Sequence, residues 1–159
     1  MTYIDLIQIN SQGSPVSKVG ALDNIAQQVC AATASLYVDA GFVLPWVGYL
    51  AQKNGKVVGA CAFKAPPLDG KVEIGYFTFP DSEGKGIATL MVRQLLEIVQ
   101  AEQAALIVVA HTANEENASN AILRNLGFRF VYVLEHPEYG EMWEWHLVNE
   151  PSVSESQNV

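Results

Sequence analysis

The chain is 159 residues long, half of them hydrophobic and 16% charged, a composition that predicts one folded domain with its own core and excludes a disordered chain. Nine Lys and Arg stand against 17 Asp and Glu, a formal net charge of −8, which disfavours nucleic acid and anionic membrane surfaces as partners. No apolar run approaches the ~20 residues of a membrane span. Asp5 and Gln8 interrupt the stretch where a secretion signal needs an unbroken apolar segment, so a cytoplasmic location is expected.

In chain order, residues 1–10 alternate weakly, as an edge strand does, and 11–18 form a Gly/Pro/Ser connector. Leu22, Ile25, Val29, Ala32 and Leu36 recur at helical spacing, which predicts a helix over 21–40 ended by Gly41. Residues 46–52 and 57–63 read as strands joined by Lys53-Asn54-Gly55-Lys56, whose Asn-Gly pair favours a tight hairpin turn. A strand over 72–79 stops at Pro80, a helix follows over 86–102, and 106–110 is an apolar run suited to a strand covered on both faces. A helix over 117–126, ended by Gly127, precedes two closing strands at 128–134 and 142–148. Cys30 and Cys61 sit in apolar surroundings without metal-ligand spacing and read as buried reduced thiols; no metal is expected.

The chemistry-bearing segment is the strand, glycine turn and helix from Glu73 to Ala88. Gly84 and Gly86 let the backbone turn tightly with its N–H groups outward, and a helix begins there, so an anion site is implied. It is not a Walker loop, because position 79 is Phe and no Ser or Thr follows Lys85; it is not a dinucleotide fingerprint, because position 89 is Thr. A nucleotide-binding α/β domain is therefore the least supported reading.

The order of elements and the string Glu83-Gly84-Lys85-Gly86-Ile87-Ala88 resemble the GNAT superfamily of N-acetyltransferases, whose pyrophosphate loop runs Gln/Arg-x-x-Gly-x-Gly/Ala. Gly86 and Ala88 match, and Glu83 departs. The segment from His111 to Phe128 and the string Glu73-Ile74-Gly75-Tyr76 are similar to the RimJ/RimL branch, which acetylates ribosomal-protein N-termini. The resemblance implies an α/β GNAT fold, with a mixed, mostly antiparallel, splayed sheet flanked by helices. Residues 1–149 would form a single domain and 150–159 a polar tail.

What it implies for function is transfer of an acetyl group from acetyl-coenzyme A to a primary amine of a peptide N-terminus or small molecule. The alternative is a non-catalytic acyl-coenzyme A-binding or regulatory domain. The coenzyme pyrophosphate would lie on Glu83, Gly84, Lys85, Gly86, Ile87 and Ala88, and the pantetheine arm along Phe77, Thr78 and Phe79, with Asn117 (or Glu116 or Asn114) beside it. Glu73 is the first choice for general base, ahead of Glu138 and Glu141. At the helix position where many members carry an acidic Tyr stands Leu123, so Ser119 is named as general acid, with Tyr76 and Tyr132 as other hydroxyls. His111 reads as a structural histidine. Trp46 reads as core, Trp143 and Trp145 as core or homodimer contacts, and the charge of −8 hints at a cationic acceptor.

Overall fold

The structure, a computed structural model, describes residues 3–148. Its elements run β1 (Asp5–Gln8), α1 (Asn24–Ala40), β2 (Gly48–Lys53), β3 (Lys56–Phe63), β4 (Lys71–Thr78), α2 (Ile87–Gln103), β5 (Ile107–Ala113), α3 (Ala118–Asn125), β6 (Arg129–His136) and β7 (Gly140–Val148). The seven strands form one open sheet in the order β1-β2-β3-β4-β5-β7-β6. Every neighbouring pair is antiparallel except β4 and β5, which α2 connects as a crossover. This is the mixed α/β arrangement that the resemblance implied. The 150–159 segment lies outside the described residues.

Local chemistry explains the joints. Asn54 and Gly55 take φ of 52° and 78°, closing the β2–β3 hairpin with Lys53 opposite Lys56. Asp23 caps α1 by accepting the Ala26 N–H at 2.9 Å, so the helix starts three residues later than the apolar spacing suggests. β2 starts later too: the Trp46 and Val47 N–H groups turn back to the carbonyls of Val43 and Pro45.

Two apolar clusters bracket the sheet. One packs α2 against its larger half through Met91, Val92, Leu95 and Val99, together with Leu123, Phe128 and Trp145. The other sets α1 over the opposite face through Ala26, Cys30, Leu50, Ala60 and Phe79. The buried positions of α1 are Ala26, Cys30 and Tyr37, and Leu22, Ile25 and Val29 of the expected stripe pack partly buried beside Ala26 and Cys30. Val29, Ala32 and Leu36 also line an open groove facing β3 and β4. Trp46 is core, edge-on to Phe63 at 5.0 Å. Both cysteines are free and buried, and burial pushes their thiols up. No helix of the described residues is long and apolar enough to cross a membrane.

Candidate active site

The β4–β5 pairing holds only from Lys71↔Ile107 to Ile74↔Ala110, although β4 continues to Thr78 and β5 to Ala113. Beyond Ile74 the two strands part. Backbone direction alternates along a strand. The Glu73 carbonyl and the Phe79 N–H both bond on the β3 side, at 2.8 and 2.9 Å, whereas the Gly70 carbonyl bonds Ile107 of β5. The main-chain groups of Tyr76 and Thr78 therefore face the split. Of the three expected pantetheine positions, Thr78 is oriented for backbone pairing; Phe77 lines the cavity, and Phe79 is buried with its N–H committed to Val58.

At the end of β4 the chain passes through a single 3-10 turn, Pro80–Ser82, into the glycine loop. Gly84 and Gly86 have φ of 77° and 78°, in the left-handed region, and a Cβ at either would meet nothing within 4 Å. Gly86 caps α2 without a side-chain bond, and the first internal bond runs from Leu90 N–H to the Gly86 carbonyl. By helix geometry the N–H groups of Ile87, Ala88 and Thr89 are left for an external acceptor, at the positive end of the dipole. Glu83, Gly84, Gly86, Ile87, Ala88, Thr89, Tyr76, Phe77, Thr78 and Ser119 line a cavity of about 510 Å³. Behind this lining, Thr78 Oγ1 and Tyr76 Oη are buried without a hydrogen-bond partner. Unsatisfied buried hydroxyls are costly. Their presence beside an open strand edge and a glycine-turned helix end fits an elongated, polar, phosphorylated ligand.

A second cavity of about 340 Å³ adjoins the first, sharing Tyr76 and Ser119, and is lined also by Lys64, Glu73, Gly75 and His111. The β6–β7 hairpin overhangs it with His136 and Tyr139, whose rings stack at 4.7 Å. A larger hollow of about 540 Å³ lies elsewhere, between the edge strand β1 and α2, and its lining offers no histidine and no glycine.

His111 is the centre of the second cavity's electrostatics. Its Nδ1 lies 3.0 Å from Glu73 Oε2 and its Nε2 2.8 Å from Glu144 Oε1, while His146 Nε2 lies 2.6 Å from Glu144 Oε2. Two ionised carboxylates on both ring nitrogens are satisfied only by the imidazolium. Accordingly the Glu73 hydrogen bond, opposed by burial and helped by Glu144, raises the His111 pKa to about 8. Burial pushes the Glu144 carboxyl up, but bonds from His111 and His146 and the neighbouring Tyr132 outweigh it and leave Glu144 below its ordinary value. The cross-strand register makes the row: Lys64 opposes Glu73, and His111 opposes Glu144, which opposes Tyr132. Glu73 Oε1 carries no hydrogen bond among the described residues.

The sequence candidates thus separate. Glu73 and Ser119 reach the same cavity, and Glu83, Gly84, Gly86, Ile87 and Ala88 reach the coenzyme-sized one. Lys85 is on the exposed outside of the loop. Asn117 is the N-cap of α3, accepting the Asn120 N–H at 3.2 Å, and lies outside both cavity linings. Glu138 and Glu141 sit on the β6–β7 hairpin outside the linings. Leu123 is fully buried in the core, so no group there can act on the cavity. Burial raises the Tyr76 hydroxyl's pKa and the nearby Ser119 opposes this, although the two do not meet in hydrogen-bonding geometry. Sequence reasoning did not connect His111, Glu144 and Lys64 with the site. The available signal was position: His111 follows directly on the paired part of β5, near the carboxyl end of a parallel pair, where α/β sheets place ligands.

The sequence profile of the acetyltransferase (GNAT) domain matches residues 6–129. The chain belongs to the GNAT acetyltransferase family. Among solved structures it resembles the RimL ribosomal L7/L12 α-N-protein acetyltransferase, with a TM-score of 0.69 over 96% of this chain and 97% of that one at 15% identity. The Salmonella typhimurium acetyltransferase that modifies the N-terminal serine of the same ribosomal protein aligns over 94% and 97%, with a TM-score of 0.67 and 15% identity. The microcin C7 self-immunity acetyltransferase MccE, solved with acetyl-CoA and AMP, covers 78% and 70%, with a TM-score of 0.62 and 17% identity. At these identities the likeness is one of GNAT fold. A curated relative, N-acetylaspartate synthetase of Xenopus tropicalis, is 35% identical over 92 residues, which is 57% of this chain. The chain spans about a third of that relative's length, 32%.

Proposed function

We propose that residues 1–149 form an acetyl-coenzyme A-dependent N-acetyltransferase domain that acetylates a primary amine. The observation that supports this best is that two adjoining cavities share Tyr76 and Ser119. A glycine-turned helix N-terminus and an open strand edge line one of them, and a carboxylate at the mouth of the split lines the other. The amides of Gly84 to Thr89 would hold the pyrophosphate, and the main-chain groups of Tyr76 and Thr78 the pantetheine arm. Bound acetyl-coenzyme A supplies the acetyl group as an activated thioester.

Glu73 is the proposed general base. Its free Oε1 takes a proton from the incoming amine, while the His111 imidazolium fixes Oε2 and the carboxylate's direction. Ser119 is the proposed acid, on the first turn of α3, where it borders both cavities and can give its proton to the departing thiolate. Tyr76, whose hydroxyl is buried and unpartnered, is the other hydroxyl-bearing residue that lines both cavities. The relatives' names carry two acceptor classes, a protein N-terminus and aspartate; either supplies a primary amine. A cytoplasmic protein whose acceptor is a small molecule or peptide, acting without nucleic acid, membrane or metal, is the reading we carry forward.

The test is release of free coenzyme A thiol from acetyl-coenzyme A across a panel of amines. Saturating coenzyme at 100 times its Kd is expected to stabilise the fold by about 2.7 kcal/mol. Stabilisation without thiol release on any amine would favour the non-catalytic binding domain. No stabilisation would remove both readings.

A further inference from the structure

Lys64 is placed where an antiparallel neighbour would neutralise it. Its N–H bonds the Glu73 carbonyl at 2.8 Å, so the two side chains stand opposite each other on one sheet face, and opposite charges so placed normally pair. They do not pair here. The Glu73 carboxylate is turned to His111, and among the described residues Lys64 enters no ion pair. Its stem lies across β4 at Gly75 instead. A Cβ at Gly75 would come within 2.7 Å of Lys64 Cε and 3.4 Å of Nζ, so the missing side chain is what admits the lysine. Lys64 is the only Lys or Arg lining the cavity that Glu73 shares with Ser119 or the adjoining groove of Val29, Ala32 and Leu36, and it also lines a further hollow on the other side of Glu73, there together with Lys71.

We infer that the acceptor carries a carboxylate close to its amine, and that Lys64 binds this carboxylate while Glu73 receives the amine. The inference rests on the acetyltransferase reading and deepens it. The net charge of −8 does not oppose it, since charges more than ~10 Å away are largely screened in salt, and Lys64 is at the cavity itself. Of the Glu73 and Glu144 charges that would repel a carboxylate, the single charge of the His111 imidazolium between them offsets one, and Lys64 stands on the Glu73 side. One chemistry has two sources here: a free amino acid, or a peptide whose first residues include an acidic side chain.

The experiment measures kcat/KM for alanine, aspartate and β-alanine against alaninamide and ethylamine. A second arm compares the amidated peptides Ala-Glu-Ala and Ala-Gln-Ala. A carboxylate preference of roughly tenfold or more is expected, the size of one charge-assisted hydrogen bond. Preference in the first arm assigns a free amino acid; preference in the second assigns an acidic peptide. Lys64→Met is expected to collapse that ratio towards one through KM, Lys64→Glu to invert it, and Lys64→Arg to keep it. Turnover without carboxylate preference, or a preference that survives Lys64→Met, overturns the inference and leaves acetyl transfer standing. Absence of turnover on every amine overturns both.

Discussion

Raising the pH from about 6 to about 9 is expected to cost this protein about 1 kcal/mol through His111. The His111 pKa of about 8 in the fold compares with 6.5 for an ordinary histidine, and the difference, 8 − 6.5 = 1.5, is worth about 2 kcal/mol at 1.36 kcal/mol each. The side chains of His111 and Glu73 are 20% and 38% exposed, so solvent screening halves that to about 1 kcal/mol. A pKa raised by folding means that the stabilisation is complete below about pH 6.5 and is lost as the pH rises through about 8. The groups that face the ring are Glu73 from β4 and Glu144 from β7, with His146 and Tyr132 on the far side of Glu144.

Thermal unfolding of the wild type and of His111→Gln across that range reads the effect, as the pH-dependent difference made by the His111 charge together with its hold on Glu144. The wild type is expected to be the more stable at low pH, and its advantage to shrink by about 2–4 °C in Tm as the pH rises, the shift that about 1 kcal/mol produces in a chain of this size. A gap that does not change with pH would refute the imidazolium and the two-carboxylate clamp that it holds together.

Three further outcomes follow from the same geometry. Glu73→Gln is expected to lower kcat by about 10²–10⁴-fold, as removal of a general base does, with coenzyme-induced stabilisation unchanged in thermal melts. Gly86→Ala meets no steric obstacle, but its φ of 78° costs an L-residue about 1–2 kcal/mol, read by denaturant unfolding, and coenzyme titration is expected to show weaker binding. Leu123→Ala removes a fully buried side chain and is expected to cost about 2–5 kcal/mol of stability; equal stability would mean that α3 is not packed as described.

What the sequence revealed and what it concealed divide along physical lines. The β2–β3 hairpin was legible because Asn54 and Gly55 alone dictate its turn angles, and the tight turn into α2 because Gly84 and Gly86 do the same at a helix start. Helical spacing found α1 and the side on which Leu22, Ile25 and Val29 pack, but not its most deeply buried positions, Ala26 and Cys30. A period of 3.6 defines a stripe, not what covers it, and Val29, Ala32 and Leu36 are apolar residues that line a groove. The Phe77–Phe79 expectation failed to separate neighbours for a similar reason. Which of two adjacent backbone groups faces the split depends on strand parity, and only the bonds of Glu73, Phe79 and Gly70 to their partner strands fix it.

The charged row is harder still. His111 and Glu144 are 33 residues apart and meet because β7 inserts between β5 and β6, so nothing in either local string announces the pair. Once that register exists, it changes the meaning of residues that composition had averaged away. Glu73 loses its cross-strand lysine to a histidine, and a lysine in a chain of net charge −8 becomes the uncompensated charge at the cavity. Net charge describes the field far from the surface, where screening erases it. Recognition is decided within a few ångströms, where an unpaired Lys64 outweighs acidic residues dispersed over the rest of the molecule.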